Sequence, residues 1–237
     1  MKLLGGLLSI HWWVLGITAF ICGGTVMLLM SLLLSPSRLQ PLTYAVCWLI
    51  MTSSGHPVRV KNKGPDKDEG PYVYVFNHTS LLDAFTLMVA IREWPAVVGK
   101  IEQFSVPFWG WLLRRWNVVG IDRSDRESSI KRFASLQQSL ERGQSALVAP
   151  EGTRGKDGQL GPFKKGPFHL AMDTGSPVCP VLIRGAFEAK NPGSFALRPG
   201  VITVEFLPIV SVDESQSVDE LRDATRARYD QALSVQD

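Results

Sequence analysis

Apolar residues are spread unevenly along the chain, and the unevenness divides it in two. Positions 3–37 form a run of 35 residues without one Asp, Glu, Lys or Arg, dominated by Leu, Ile, Val, Gly, Met and Trp. About 20 such residues span a bilayer as a helix. The run therefore predicts a membrane-anchoring helical segment, either one tilted span over roughly 17–34 or two shorter helices broken near Gly23-Gly24 that dip into one leaflet. A buried core helix is the soluble alternative, and its length argues against it, because core helices seldom run so far uncharged. The run is also too long for a signal peptide and lacks a small-residue cleavage site after a short apolar core. Trp12 and Trp13 suit interfacial anchors. A second apolar stretch, 41–51, is expected to lie along the membrane surface or to pack on the domain, and 64–70 reads as a charged, turn-rich loop.

Beyond this segment the pattern changes to short β-branched runs alternating with helical periodicity. Residues 58–60, 72–76, 96–98, 118–121, 146–149, 181–183 and 201–206 read as strands. Residues 81–92, 101–115, 127–142 and 164–174 read as helices, and 218–233 as a charged amphipathic surface helix. Such alternation predicts an α/β domain: a mostly parallel mixed sheet of about seven strands flanked by helices. The expected organisation is a membrane-anchoring segment, 1–54, and one folded domain, 55–237.

Charge sharpens the picture. The net charge is +3, but residues 205–237 hold eight Asp/Glu against three Lys/Arg, which leaves +8 on residues 1–204. A basic body beside a lipid-facing segment suits anionic headgroups or phosphorylated substrates. Nucleic acid is disfavoured as a partner, since the basic residues come as ones and twos without interleaved aromatics. Arg38, Arg59, Lys61 and Lys63 follow the apolar run and favour a cytoplasmic catalytic part by the positive-inside rule. Three widely spaced cysteines, Cys22, Cys47 and Cys179, read as reduced core or membrane residues. The four histidines, His11, His56, His78 and His169, form no metal-ligand spacing. No oligomeric state is assigned.

Candidate chemistry gathers after the strands. In Asn77-His78-Thr79-Ser80-Leu81-Leu82-Asp83, a regular helix through both His78 and Asp83 would hold them apart around its axis. With His78 in the strand-to-helix turn and Ser80 as N-cap, Asp83 can instead point back at the imidazole and form a dyad without a serine nucleophile. A capping box by Ser80 and Asp83 is the purely structural alternative. In Pro150-Glu151-Gly152-Thr153-Arg154, Gly152 lets backbone approach a ligand, Thr153 offers a hydroxyl, and Arg154 presents a planar fork for phosphate. Glu151 is placed to accept bonds from the turn or to orient the arginine; a plain surface turn is the alternative. Arg123, in Ile121-Asp122-Arg123, and Lys100, after the 96–98 strand, are further phosphate candidates. Either could equally belong to a solvated ion pair. Pro180, at the start of a strand, is expected to shape the chain.

Taken in order, these blocks resemble those of the glycerolipid acyltransferase family, whose best-known members are 1-acylglycerol-3-phosphate acyltransferases. Asn77 to Asp83 matches the family's N-H-x-x-x-x-D block and Pro150 to Arg154 its P-E-G-T-R block. Ile121-Asp122-Arg123 resembles its I-D-R ending, although Gly120 stands where the family has an aromatic. Cys179-Pro180-Val181 falls at its apolar proline block. The resemblance covers about residues 55–210. It implies an enzyme, an O-acyltransferase moving an acyl chain from acyl-CoA or acyl-ACP to the free hydroxyl of a lysophospholipid, most often lysophosphatidic acid giving phosphatidic acid. It implies no cofactor, no metal and no covalent acyl-enzyme.

On that reading His78 is the general base and Asp83 holds its ring. Arg154, Arg123 and Lys100 bind phosphate, and an amide near Gly152 or the Ser80 helix start meets the oxyanion. The alternatives are another lyso-lipid acceptor, such as lysophosphatidylethanolamine, lysophosphatidylcholine or an amino-acid lyso-lipid, or a non-catalytic lipid-binding scaffold.

Overall fold

The computed structural model describes residues 2–116, 118–122 and 126–235. The first helix, α1, runs unbroken over Lys2–Met30 and is followed by a 3-10 turn, Pro36–Leu39, and by α2, Gln40–Ser53. The rest alternates: β1 (Val58–Lys61), β2 (Val73–Phe76), α3 (Asp83–Ala90), β3 (Ala96–Lys100), α4 (Trp109–Arg115), β4 (Val119–Ile121), α5 (Arg126–Glu141), β5 (Ala146–Val148), α6 (Gly166–Thr174), β6 (Val178–Arg184), α7 (Ala186–Ala189), β7 (Ile202–Phe206) and α8 (Val218–Ser234).

The strands form one seven-stranded sheet in the order β1-β7-β6-β2-β5-β3-β4. Every neighbouring pair is parallel except β6 with β7, so β1 and β7 run against the other five. Strand residues alternate between two cores, as a pleat requires. Tyr74, Cys179, Val181 and Ile183 face the layer holding α2 and α3, whereas Val73, Val75, Val178 and Leu182 face that of α5, α6 and α8. The chain leaves β2 toward β3 and leaves β5 toward β6. Strands whose connections part in this way are where open α/β sheets bind ligands, which points to the carboxyl ends of β2 and β5.

The elements depart from expectation in two places. Residues 101–115 make a 3-10 turn, Ile101–Ser105, and then α4 rather than one helix. Pro107 lacks the N–H that an unbroken helix needs and forces Val106 out of helical geometry. β6 begins at Val178 and carries Pro180 inside it. Its nitrogen faces the end of β7, where Leu207 N–H donates to the Pro180 carbonyl at 2.9 Å and the ladder stops, so little bonding is lost. Of the two arrangements left open for the apolar run, α1 takes the unbroken one and continues through Gly23-Gly24. A Cβ at Gly23 would stand 2.5 Å from Cγ1 of Val46, and one at Gly24 2.8 Å from Cζ of Phe108. Both glycines serve close packing on α2 and on the Phe108 ring.

The apolar segment is thus seated on the domain over one stripe. Trp12 and Trp13 pack against the core under α3, and Trp13 Nε1 donates to the Phe195 carbonyl at 2.6 Å. Leu197 N–H donates to Ser9 Oγ at 2.8 Å. At the far end, Arg115 donates to the carbonyls of Ser31 and Leu34 beyond the last turn of α1, a favourable place for a cation. The opposite face of α1, with Ile10, Val14 and Ile17, is exposed.

Candidate active site

Asn77 decides how β2 ends. Its side-chain amide mimics a strand, accepting from Ile183 N–H at 2.7 Å and donating to the Ile183 carbonyl at 2.9 Å. Two residues earlier the β2–β6 ladder is opened by Tyr229 of α8, whose hydroxyl donates to the Val75 carbonyl at 2.7 Å and accepts from Val181 N–H at 3.2 Å. Fixed in this way, the chain turns at His78 instead of pairing further.

The turn holds the dyad. His78 Nδ1 lies 2.8 Å from Asp83 Oδ2. That oxygen also accepts the amides of Thr79 and Ser80, at 2.8 and 2.9 Å. Asp83 is fully buried, while the His78 side chain keeps 25% of its surface. A buried acceptor with three donors on one oxygen is held as the carboxylate's shape dictates, and the ring it grips is left reachable from solvent.

The capping arrangement expected of Ser80 is not what forms. Helix α3 starts at Asp83 itself, with Leu82 as its N-cap residue and no side-chain cap. Ser80 Oγ instead donates to the Lys190 carbonyl at 2.7 Å and accepts weakly from Leu82 N–H at 3.3 Å. The Asp83 carboxylate reaches back to the amides of Thr79 and Ser80 before the helix, as the acidic partner of a capping box does.

The second block sits on the neighbouring strand and is tied to the first. Glu151 is buried, and its two oxygens accept from His78 N–H and Gly161 N–H, both at 2.9 Å. Gly155 N–H donates to the His78 carbonyl at 2.8 Å. Burial pushes the Glu151 carboxyl above its ordinary value, while the two amides and then His78 pull it back. Gly152 has φ +74°, a conformation that favours glycine, and the amine of Lys164 rests 2.8 Å from where a Cβ would be. Thr153 and Arg154 are exposed at the turn, and among the described residues Arg154 has no carboxylate partner.

The amides expected to meet an oxyanion are already occupied: those of Thr79 and Ser80 by Asp83, and that of Gly152 by the Ala149 carbonyl at 3.1 Å. The amides of Thr153 and Arg154 have no acceptor among the described residues.

Lys100 ends β3 on the same sheet edge but two strands from His78. It is half-exposed and paired with Glu102 at 2.8 Å, so the structure does not bring it against the dyad. Arg123 lies outside the described residues. At Gly120 a Cβ would stand 2.9 Å from the Phe104 ring. Ile101 and Phe104 of the 3-10 turn after β3 therefore crowd this position against a larger side chain.

One residue of this neighbourhood was not anticipated. Lys190 is buried directly after α7, and among the described residues its amine donates only to the carbonyl of Asn191, at 2.8 Å. No motif marked it, because a lysine after a short helix carries no sequence signature.

Comparison with known proteins agrees with this geometry. The Acyltransferase family model matches residues 57–184. A 1-acyl-sn-glycerol-3-phosphate acyltransferase of Limnanthes douglasii is 32% identical over 183 residues, covering 77% of this chain and 64% of that protein. Its counterpart from Limnanthes alba is 33% identical, covering 78% and 64%. The chain thus spans a little under two thirds of the length of these relatives. The crystal structure of the 1-acyl-sn-glycerophosphate (LPA) acyltransferase PlsC from Thermotoga maritima superposes with a TM-score of 0.83 at 24% identity, covering 99% of this chain and 98% of that one. With His78, Asp83 and the Glu151–Arg154 turn assembled at one sheet edge inside the matched region, the chain belongs to the acyltransferase family.

Proposed function

We propose that the chain is a 1-acyl-sn-glycerol-3-phosphate acyltransferase, moving an acyl chain from acyl-CoA or acyl-ACP to the sn-2 hydroxyl of lysophosphatidic acid to give phosphatidic acid in phospholipid biosynthesis. The observation that carries the reading is the His78–Asp83 contact with the arginine turn bonded to the carbonyl of the same histidine. The names of the relatives supply the acceptor.

Asp83 accepts the Nδ1 proton and so presents Nε2 as a base. Nε2 takes the sn-2 hydroxyl proton as the oxygen attacks the thioester carbonyl carbon. The tetrahedral species collapses, the C–S bond breaks, and the leaving thiolate recovers the proton from the imidazolium. The acyl donor is a cosubstrate, and the sequence calls for no metal or prosthetic group.

Arg154 takes the acceptor phosphate, with Thr153 and Gly152 shaping the turn that meets it. Lys100 and Arg123 are proposed as outer phosphate contacts. At about 4.8 Å per strand Lys100 stands about 10 Å along the edge from β2, and it would exchange Glu102 for the ligand. The unspent amides of Thr153 and Arg154 suit the oxyanion better than the occupied ones.

The protein would work at a membrane with the catalytic domain on the cytoplasmic face. In support, Leu8–Met30 is long and apolar enough to cross a bilayer, and Arg38, Arg59, Lys61 and Lys63 follow it.

Thiol release by the detergent-solubilised protein, given acyl-CoA and a panel of lyso-lipids with lysophosphatidate first, tests acceptor and mechanism together. His78→Ala should lower turnover by about 1,000-fold or more at an unchanged melting temperature. Retained turnover in folded His78→Ala overturns the dyad, and release with another lyso-lipid alone moves the headgroup.

A further inference from the structure

A lysophosphatidate phosphate carries up to two negative charges, and of the proposed phosphate contacts that the structure describes, Lys100 stands two strands from His78 and leaves Arg154 to meet them beside the dyad. An unassigned cation tied to this neighbourhood is Lys190. Its position is set from three sides. Ser80 of the dyad turn donates its hydroxyl to the Lys190 carbonyl at 2.7 Å. Lys190 N–H closes α7 on the Ala186 carbonyl at 3.0 Å. The loop that follows Arg154 packs on the same short helix, where a Cβ at Gly158 would stand 2.8 Å from the ring of Phe187. Lys190 is therefore anchored to the base-bearing turn, on a helix that touches the phosphate-turn loop.

What surrounds its amine is unusual for a buried lysine. Buried charges are ordinarily paired. Among the described residues Lys190 has no carboxylate partner; its amine meets only a backbone carbonyl, that of Asn191. Burial first, and then the nearby charge of Arg154, lower its pKa. Arg154 is likewise without a carboxylate. Lys164, the other amine at the turn, is exposed and lies against Gly152. Two cations close enough to feel each other, one of them buried and neither neutralised, leave an electrostatic vacancy that an anion of more than one charge would fill.

We infer that Lys190 is a further cation of the acceptor-phosphate site, forming with Arg154 a clamp beside the dyad for the phosphomonoester dianion. This rests on the acceptor proposed above. When the phosphate arrives, the Lys190 amine turns from the Asn191 carbonyl to a phosphate oxygen, so the cost of holding two cations together is repaid only by the phosphorylated acceptor. Lys190 thereby favours a phosphomonoester over acceptors with a zwitterionic headgroup.

The test compares wild type, Lys190→Met and Lys190→Arg in detergent, following thiol release against lysophosphatidate and, separately, against acyl-CoA. Lys190→Met should raise the KM for lysophosphatidate about tenfold or more, roughly 1.4 kcal/mol, with kcat and the KM for acyl-CoA within about twofold. Lys190→Arg should return the lysophosphatidate KM to within about threefold of wild type. An unchanged lysophosphatidate KM in Lys190→Met overturns the inference. So does a joint fall in kcat and donor use that Lys190→Arg does not rescue, which would mark a lysine that only braces its loop. If Lys190→Met does not fold, Lys190→Gln provides the same comparison. Wild type that releases no thiol with lysophosphatidate overturns the proposed acceptor and this inference together; wild type that does, beside an unaffected Lys190→Met, overturns the Lys190 assignment alone.

Discussion

Glu151 is the residue that makes two motifs into one site. It sits after β5, accepts from the His78 amide on β2's turn and from Gly161 at the far end of the phosphate loop, and is buried while doing so. Glu151→Gln keeps the shape but sets an NH2 group against one of two N–H donors. The expected cost is about 1–3 kcal/mol of stability, read as a lower melting temperature, with turnover falling because both loops lose their common anchor. The variant also tests a pH dependence. Burial raises the Glu151 pKa, so the native protein holds this proton more tightly than the unfolded chain does. Its stabilising contribution is full below the ordinary carboxylate value and is lost as pH rises through the raised one. Denaturant midpoints across mildly acidic pH should fall more steeply in wild type than in Glu151→Gln. The sequence had placed Glu151 within the turn and left its partner open, because a partner 73 residues away is a fact of strand order. Cys179 bore out its reading as a core thiol: it is buried, and burial pushes it up to about 12.

At the scale of elements, the strand and helix pattern was largely legible, because alternation and helical periodicity report burial on one face. All seven strands formed within a few residues of their expected bounds. What local pattern left open, packing decided. Gly23-Gly24 allowed either a break or a continuous helix, and it is the place where an unbroken α1 comes against Val46 and Phe108. Gly23→Ala should destabilise the docking of α1 on α2 by about 1–3 kcal/mol, seen as a lower melting temperature in detergent. Val46→Ala should recover much of that loss in the double variant, since it clears the space the new Cβ needs. Equal losses with and without Val46→Ala would place the glycine's role elsewhere. The short helix α7 escaped notice for another reason: four residues are too few to show a period.

At the scale of the molecule, the long helix α1 is seated along one stripe and leaves an apolar face outward, extended by Trp48 of α2 and Trp111 of α4 and, at the loop held by Trp13, by Phe195, which is 90% exposed. Exposed apolar side chains of this kind are the surface that the proposed membrane association would use. With a basic body behind them, that proposal predicts binding to an anionic bilayer. Trp48→Glu with Trp111→Glu should weaken sedimentation with phosphatidylglycerol-containing vesicles by about tenfold or more while leaving the melting temperature in detergent nearly unchanged. Undiminished sedimentation would assign the outer face another partner.

The order of residue types along the chain was enough to establish the apolar segment and the α/β alternation, because each rests on local periodicity, and it named the dyad and arginine blocks as candidates through their resemblance to a family's motifs. It did not establish that β2 and β5 lie side by side, that Asn77 ends one by binding Ile183, or that Glu151 joins their loops. Nor did it mark Lys190, or show that the dyad's amides are already taken by Asp83. These depend on contacts between residues 70 or more apart, or on which donors remain unspent after the backbone has bonded. Such relations come into being only when the sheet has assembled and the hydrogen bonds of its loops have been shared out.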